Sequence, residues 1–328
     1  MRIFEKGKGD LLTNPDPDLA RAHFRKKSRA MTRKVMDVKD AVAKFVHDGD
    51  YLCIGGFGGV RIPTAALHEI VRQGRKNLGL AGHTATHDFQ ILAAGECFDR
   101  VDIAYVVGLE ARGVSKNARR YLESGKVKMV EWTNAGLAWR LKAAMLGVPF
   151  LVGRQSLGAD SIPHSASYVI ECPYTKKKLA TFPALYPDVS IIHVHEADEF
   201  GNASMSGALV ADEDLARASK HVIITCEKLV ADDTFRKDPN KANVPYFCVD
   251  AVCEVPYGSY PGNMPGEYFS DEDHLKEWLT VERDEKAFKK FLDDNIYSVK
   301  DFEEYLNKHG GVKRIEELRR KELMIDEE

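Results

Sequence analysis

No apolar run in the 328-residue sequence approaches the ~18 residues that span a bilayer, so no membrane-embedded helix is expected. The first residues hold no apolar h-region, so no secretory signal is expected. Cysteine is scarce, with six in the chain. Cys53, Cys226 and Cys253 lie in apolar, strand-like runs, and Cys248 and Cys253 are too far apart for C-x-x-C. A disulfide scaffold is therefore not expected, and the chain reads as cytoplasmic with reduced thiols. Charge of one sign is lacking too: 47 Lys and Arg balance 50 Asp and Glu, for a net charge of −3. Neither a nucleic acid nor an anionic membrane surface is an expected partner. A dinucleotide fingerprint needs glycines at 56, 58 and 61, but position 61 is Arg; no Gly-Lys-Ser/Thr completes a Walker A loop.

The chain does hold one stretch around which the rest is organised, Asp48-Gly-Asp-Tyr-Leu-Cys-Ile-Gly-Gly-Phe-Gly-Gly-Val-Arg-Ile-Pro63. Tyr51–Ile54 reads as a buried strand, and it ends in four glycines around Phe57. Pro63 then suits a first helical position, where its missing N–H costs nothing, and a helical pattern follows over 64–73. A strand that runs through glycines into a helix can bring backbone N–H groups close to a ligand, or can be a tight turn without one.

Strand and helix patterns alternate along the chain. The spacing predicts helices over 38–47, 64–73, 89–94, 116–124, 134–146 and 212–219. It predicts strands over 51–54, 78–81, 101–107, 128–132, 189–194, 221–226 and 249–255. This pattern predicts an α/β fold, an open, mostly parallel sheet covered by helices on both faces, with ligands beyond the carboxyl ends of the strands. Those ends are 55–61, 82–88, 108–113 and 195–202. Residues 1–30 read as an arm outside the core, 153–180 as a lid or surface excursion, and the chain from Ser270 to about Arg320 as a charged helical segment. The expected division is an arm, 1–30, and one α/β domain, 31–328, carrying that segment.

The polar constellations are less complete. His83 and His87 stand at i, i+4 and His193 and His195 at i, i+2, but no third ligand sits at a recognisable spacing, so hydrogen-bonded histidines are expected and no metal site is assigned. Ser204 and Ser206 form no nucleophile elbow. Glu110 stands at a strand end near Arg112. No complete catalytic set is present, which suggests that a partner completes the chemistry.

Gly-Gly-Phe-x-x-x-Arg-x-Pro over 55–63, preceded by Asp48-Gly49 and the apolar strand, resembles the alpha-subunit signature of family I CoA transferases, in the form of the glutaconate-type branch. Cys53 replaces an aliphatic residue, and Arg61 stands where many members have Gly. Val130-Glu-Trp-Thr-Asn134, Gly147-Val-Pro-Phe150, Asp188-Val-Ser-Ile-Ile-His193, Ala197-Asp198, Gly201-Asn202, Lys220–Cys226, Val249-Asp-Ala-Val252 and Pro256-Tyr-Gly258 resemble the family in the same order. The likeness runs from about Val35 to about Arg320.

The resemblance implies the CoA-transferase and sugar-isomerase-like fold. It also implies a homologous beta subunit, in an assembly such as α2β2 or α4β4, with the active site between the chains and a nucleophilic Glu on beta. No permanently bound cofactor is implied; a coenzyme A thioester and a carboxylic acid are the substrates. In this chain, Gly55, Gly56, Phe57, Gly58 and Gly59 are expected to form the oxyanion and acyl-CoA pocket. Arg61 is expected to grip the distal carboxylate of a dicarboxylic acyl group, or a CoA phosphate. His83, Thr84 and Glu110 are expected as pocket walls, with Glu110 the pseudo-symmetric counterpart of the beta glutamate. Relatives that lose that glutamate turn to ring-opening hydrolysis or to decarboxylation of a glutaconyl-type ester. A subunit that binds acyl-CoA without turnover is the non-enzymatic alternative.

Overall fold

Tyr51–Ile54 (β1) is buried along its whole length, as a strand must be when both faces of its sheet are covered. Leu52 and Ile54 enter one apolar layer, and Tyr51 and Cys53 enter the other, the alternation that a pleated strand imposes. The computed structural model describes residues 2–106, 108–109 and 112–325. Further strands are Leu78–His83 (β2), Phe98–Ala104 (β3), Lys128–Glu131 (β4), Val189–Asp198 (β5), His221–Val230 (β6) and Ala251–Glu254 (β7). They lie in the order β7-β6-β5-β1-β2-β3-β4, and all these pairs are parallel. The short strand Ala203–Ser204 folds back antiparallel on β5.

Helices cover both faces. Val38–Phe45, Thr64–Arg72, His87–Ala94 and Lys116–Glu123 contribute to one apolar layer, and Asn134–Leu146 and Asp212–Ala218 to the other. The expected α/β class is thus the observed one. Strand order locates the ligand crevice: from β1 the chain builds outward through β2, β3 and β4, then returns to build β5, β6 and β7 on the other side. The reversal lies between β1 and β5, and loops leaving the two carboxyl ends there diverge and open a crevice.

Beneath the sheet a buried polar knot fixes one helix. Arg140 pairs with Asp102 at 2.7 Å, both fully buried. Asp102 also accepts from Trp132 Nε1 at 2.6 Å and from the Tyr51 hydroxyl, and the Arg140 guanidinium lies over the Trp132 ring at 4.2 Å. Every lone pair so occupied lowers the cost of burying the carboxylate.

Two expectations change. The stretch expected as an arm outside the core is stapled to this chain. Ile3–Lys6 pairs with Tyr168–Glu171 in a four-stranded sheet with Lys178–Pro183 and Phe150–Gly153, so the stretch 153–180, expected as a lid or a surface excursion, supplies strands to this second sheet. Lys27 then donates to Lys220 O, Cys248 O and Asp250 at 2.9, 2.7 and 2.6 Å, a reason for a basic stretch that needs no partner. The charged C-terminal segment folds as helices Glu272–Val281, Glu285–Leu292, Phe302–Lys308 and Gly311–Glu322. Among the described residues no helix is long and apolar enough to cross a membrane.

Candidate active site at the carboxyl edge of the sheet

Backbone strain gathers where the crevice is expected. Thr84 (φ 47°), Tyr105 (φ 62°), Arg61 (φ 56°) and Tyr257 (φ 62°) adopt left-handed conformations in the loops leaving β2, β3, β1 and β7. A β-branched residue there is an outlier, and each such residue costs about 1–3 kcal/mol that the surrounding structure must offset.

The glycine loop makes a smaller donor set than its sequence promises. Gly55 N donates to Ile191 O at 2.9 Å, Phe57 N to Val60 O at 3.1 Å and Gly58 N to Thr84 O at 3.0 Å. Gly56 N donates to Asp212 Oδ1 at 2.7 Å. These amides hold the loop's shape and tie it to β2 and β5. Gly59 is buried, and its N–H donates to no group among the described residues. Its φ of +119° is one a side chain rarely tolerates, and a Cβ there would lie 3.5 Å from Arg112 Nη1 and 3.8 Å from Thr86 Oγ1.

Arg61 does not face a ligand. Its side chain is fully buried beside Asp212, with Nη1 and Nη2 on the two carboxylate oxygens at 3.1 and 3.0 Å. Nη2 also donates to Ala208 O at 2.7 Å. The expected grip on a substrate carboxylate is corrected for this reason: the guanidinium is spent on binding loop 55–61 to the start of helix Asp212–Ala218.

His83 and Thr84 border the glycine loop. The His83 ring lies 5.6 Å from Phe57, with Nε2 at 3.0 Å from Asn134 O. Burial pushes its pKa down, against the pull of that carbonyl. Thr84 Oγ1 and Thr86 Oγ1 are buried without hydrogen-bond partners among the described residues, unusual for hydroxyls. Glu110 lies outside the described residues. Arg112, which the sequence reading did not assign, uses Nε and Nη2 on Glu272 at 2.9 and 2.7 Å. Its Nη1 is left toward Gly59. The remaining histidine of the first pair, His87, sets its Nδ1 3.2 Å from Gln90 Oε1 and its ring edge-on to Trp278.

Burial, then repulsion from His274, pushes His87 down to about 3. The folded state keeps it neutral, while an unfolded histidine takes up a proton below about 6.5. The unfolded state thus binds more protons between those values, and stability falls as the pH drops through them. Between pH 7 and 5, wild type should lose about 2 kcal/mol more than His87→Gln, read from urea midpoints.

On the β5–β6 side of the switch point lies a cleft of about 460 Å³ lined by His195, Ser206, Glu227, Tyr257 and neighbours. Glu227 is held by His193 Nε2 at 2.8 Å, the Tyr268 hydroxyl at 2.6 Å and Tyr257 N at 2.6 Å. His193 Nδ1 meets Thr225 Oγ1 at 2.8 Å, and His195 Nε2 meets Pro265 O at 2.8 Å. Both members of the second histidine pair are thus hydrogen-bonded within the chain.

The family model described as Coenzyme A transferase matches residues 35–255. The chain belongs to the coenzyme A transferase family. Within this family it is an alpha-type chain, an enzyme subunit of the transferase class. The A-type subunit of glutaconate CoA-transferase from Acidaminococcus fermentans is 33% identical over 299 residues, 86% of this chain and 93% of that one. The crystal structure of that transferase matches with a TM-score of 0.81 over 87% of this chain and 95% of its own. An uncharacterized protein of Archaeoglobus fulgidus is 45% identical over 326 residues, 99% of this chain and 73% of that one. The decarboxylase AibA/AibB is 30% identical, with a TM-score of 0.72 over 80% of this chain and 98% of its own. The coenzyme A transferase match stops short of the C-terminal helices, while the glycine loop, the strained turns after β2 and β3, and Arg112 all fall inside it.

Proposed function

We propose that this chain is the alpha half of a two-chain acyl-CoA:carboxylate CoA-transferase whose nucleophilic glutamate stands on a homologous beta subunit. The observation that carries the reading is Gly59, buried at the carboxyl edge of the sheet, whose N–H has no acceptor among the described residues and whose Cβ position lies 3.5 Å from Arg112 Nη1. A partner carboxylate attacks the thioester carbonyl; the C–S bond breaks, leaving an acyl-glutamyl anhydride and CoA thiolate. The thiolate attacks the glutamyl carbonyl, releasing the first acid and leaving a glutamyl-CoA thioester. The second acid reverses both steps, so the kinetics are ping-pong. Each attack builds an oxyanion, and a fixed N–H aimed at it lowers the barrier by about 3 kcal/mol. Phe57 excludes water. A glutaconate-like dicarboxylate is the substrate class: the named relative supports it, and Arg112 rather than Arg61 is the cation within reach of its far carboxylate.

Coenzyme A ester decarboxylation is a second reading, favoured by the likeness to AibA/AibB. Co-purification with the homologous chain, then incubation with glutaconyl-CoA and acetate, separates them. Transfer yields acetyl-CoA and glutaconate without gas or free CoA, and borohydride traps the thioester on the partner. Carbon dioxide release favours decarboxylation, and free CoA favours hydrolysis. Full-rate turnover by the isolated alpha chain overturns the two-chain reading. A chain that binds acyl-CoA tightly alone, without turnover in the pair, is the non-catalytic alternative.

A further inference from the structure

The C-terminal helices bring three metal-binding side chains together outside the carboxyl-edge site. His274 and Glu277 stand at i, i+3 on helix Glu272–Val281, and His309 follows helix Phe302–Lys308. One ligand atom from each lies within 4.8 Å of the others. His274 is 5% exposed, and its Nδ1 has no hydrogen-bond partner among the described residues, its nearest charged neighbour being Glu277 Oε2 at 3.6 Å. Bonds of ~2.0–2.1 Å in a tetrahedron place ligand atoms roughly 3.3 Å apart, so this edge already has the span that one ion needs. The side chain of Glu277 is half exposed and His309 sits beyond a helix end, so both can close the remaining gap.

The surroundings orient both rings as ligands. Asn295 donates its amide NH2 to Phe291 O at 2.9 Å, which aims its Oδ1 at His309 Nε2, 2.7 Å away. That nitrogen must carry the proton, leaving the Nδ1 lone pair for a metal. His274 Nε2 meets the Tyr305 hydroxyl at 2.8 Å, and donating its proton to that oxygen leaves Nδ1 for a metal. Partners of this kind on the far nitrogen are the usual companions of metal-bound histidine. The rings are 4.1 Å apart between centroids, so one ion can reach a nitrogen of each. Two imidazole nitrogens and one carboxylate suit zinc among the divalent metals.

We infer that His274, Glu277 and His309 form a zinc site that clamps helix Glu272–Val281 to the end of helix Phe302–Lys308. The clamp has a bearing on the carboxyl-edge site, because Glu272, the first residue of the clamped helix, holds Arg112. Water takes the fourth position beside these three ligands, and the ion acts through the fold by setting where Glu272 stands.

Wild type and Glu277→Gln, purified as full chains and loaded with zinc chloride, provide the test, because Glu277 is exposed enough for the variant to fold. Wild type should hold about one zinc per chain after desalting, and its unfolding midpoint should rise by about 5 °C at a hundredfold excess of zinc over Kd. Glu277→Gln and His309→Gln should each bind at least about tenfold more weakly. Cobalt(II) in place of zinc should give the intense visible bands of a tetrahedral site in wild type and lose them in both variants. Zinc below a tenth of an equivalent, or binding equal in wild type and both variants, overturns the inference. The cluster is then a hydrogen-bonded histidine pair with its carboxylate. None of these readouts uses transferase activity.

Discussion

Arg61→Ala should lower the free energy of unfolding by about 3–5 kcal/mol, a drop of roughly 10 °C in midpoint, and should change KM for dicarboxylic and monocarboxylic substrates alike. The physical cause is the partner left behind. Asp212 is as buried as Arg61, and the only other donor that its carboxylate receives among the described residues is Gly56 N. Removing the guanidinium strands a negative charge in a dry interior. Replacing both members, Arg61→Met with Asp212→Leu, should recover much of the loss, since apolar residues can substitute for a buried pair. A variant with an unchanged midpoint, and a KM raised at least about tenfold for the dicarboxylate alone, would restore Arg61 to the substrate.

The case of Arg61 shows where sequence reading stops. An arginine just past a run of glycines, at a strand end, has the chemistry of a carboxylate grip; only the fold shows which carboxylate is gripped. Asp212 lies 151 residues away, and nothing at either position signals the pairing. The strands and covering helices were legible because they depend on local periodicity: Leu52 and Tyr51 announce opposite faces by their neighbours alone. Helix Asn134–Leu146 has the bounds that its spacing predicts. The second sheet was not legible, because Ile3–Lys6 finds its partners at Tyr168–Glu171, and short, half-exposed strands carry no long apolar pattern. At the carboxyl edge, the glycines of 55–61 overstated the loop's free donors: six of its amides are bonded within the chain. Arg112, Thr86 and the set around Glu227 emerge only from geometry. So does the cluster of His274, Glu277 and His309, whose last member is far along the chain from the other two.

Gly59→Ala should reduce kcat/KM by about 10²–10³-fold while costing only about 1–3 kcal/mol of stability. Two effects separate these magnitudes. The φ of +119° strains any residue with a Cβ, which accounts for the stability term. The activity term comes from position: the new methyl intrudes beside Arg112 Nη1, 3.5 Å away, and relaxing the strained φ turns the unspent N–H away from the oxyanion. Gly74→Ala supplies the control, since Gly74 has φ +67° with nothing within 4 Å of a Cβ and ends a helix away from the crevice. It should share the strain and keep the activity. If Gly59→Ala loses no more activity than Gly74→Ala at equal loss of stability, the amide is a turn and not an oxyanion donor. The barrier must then be lowered by groups of the partner subunit.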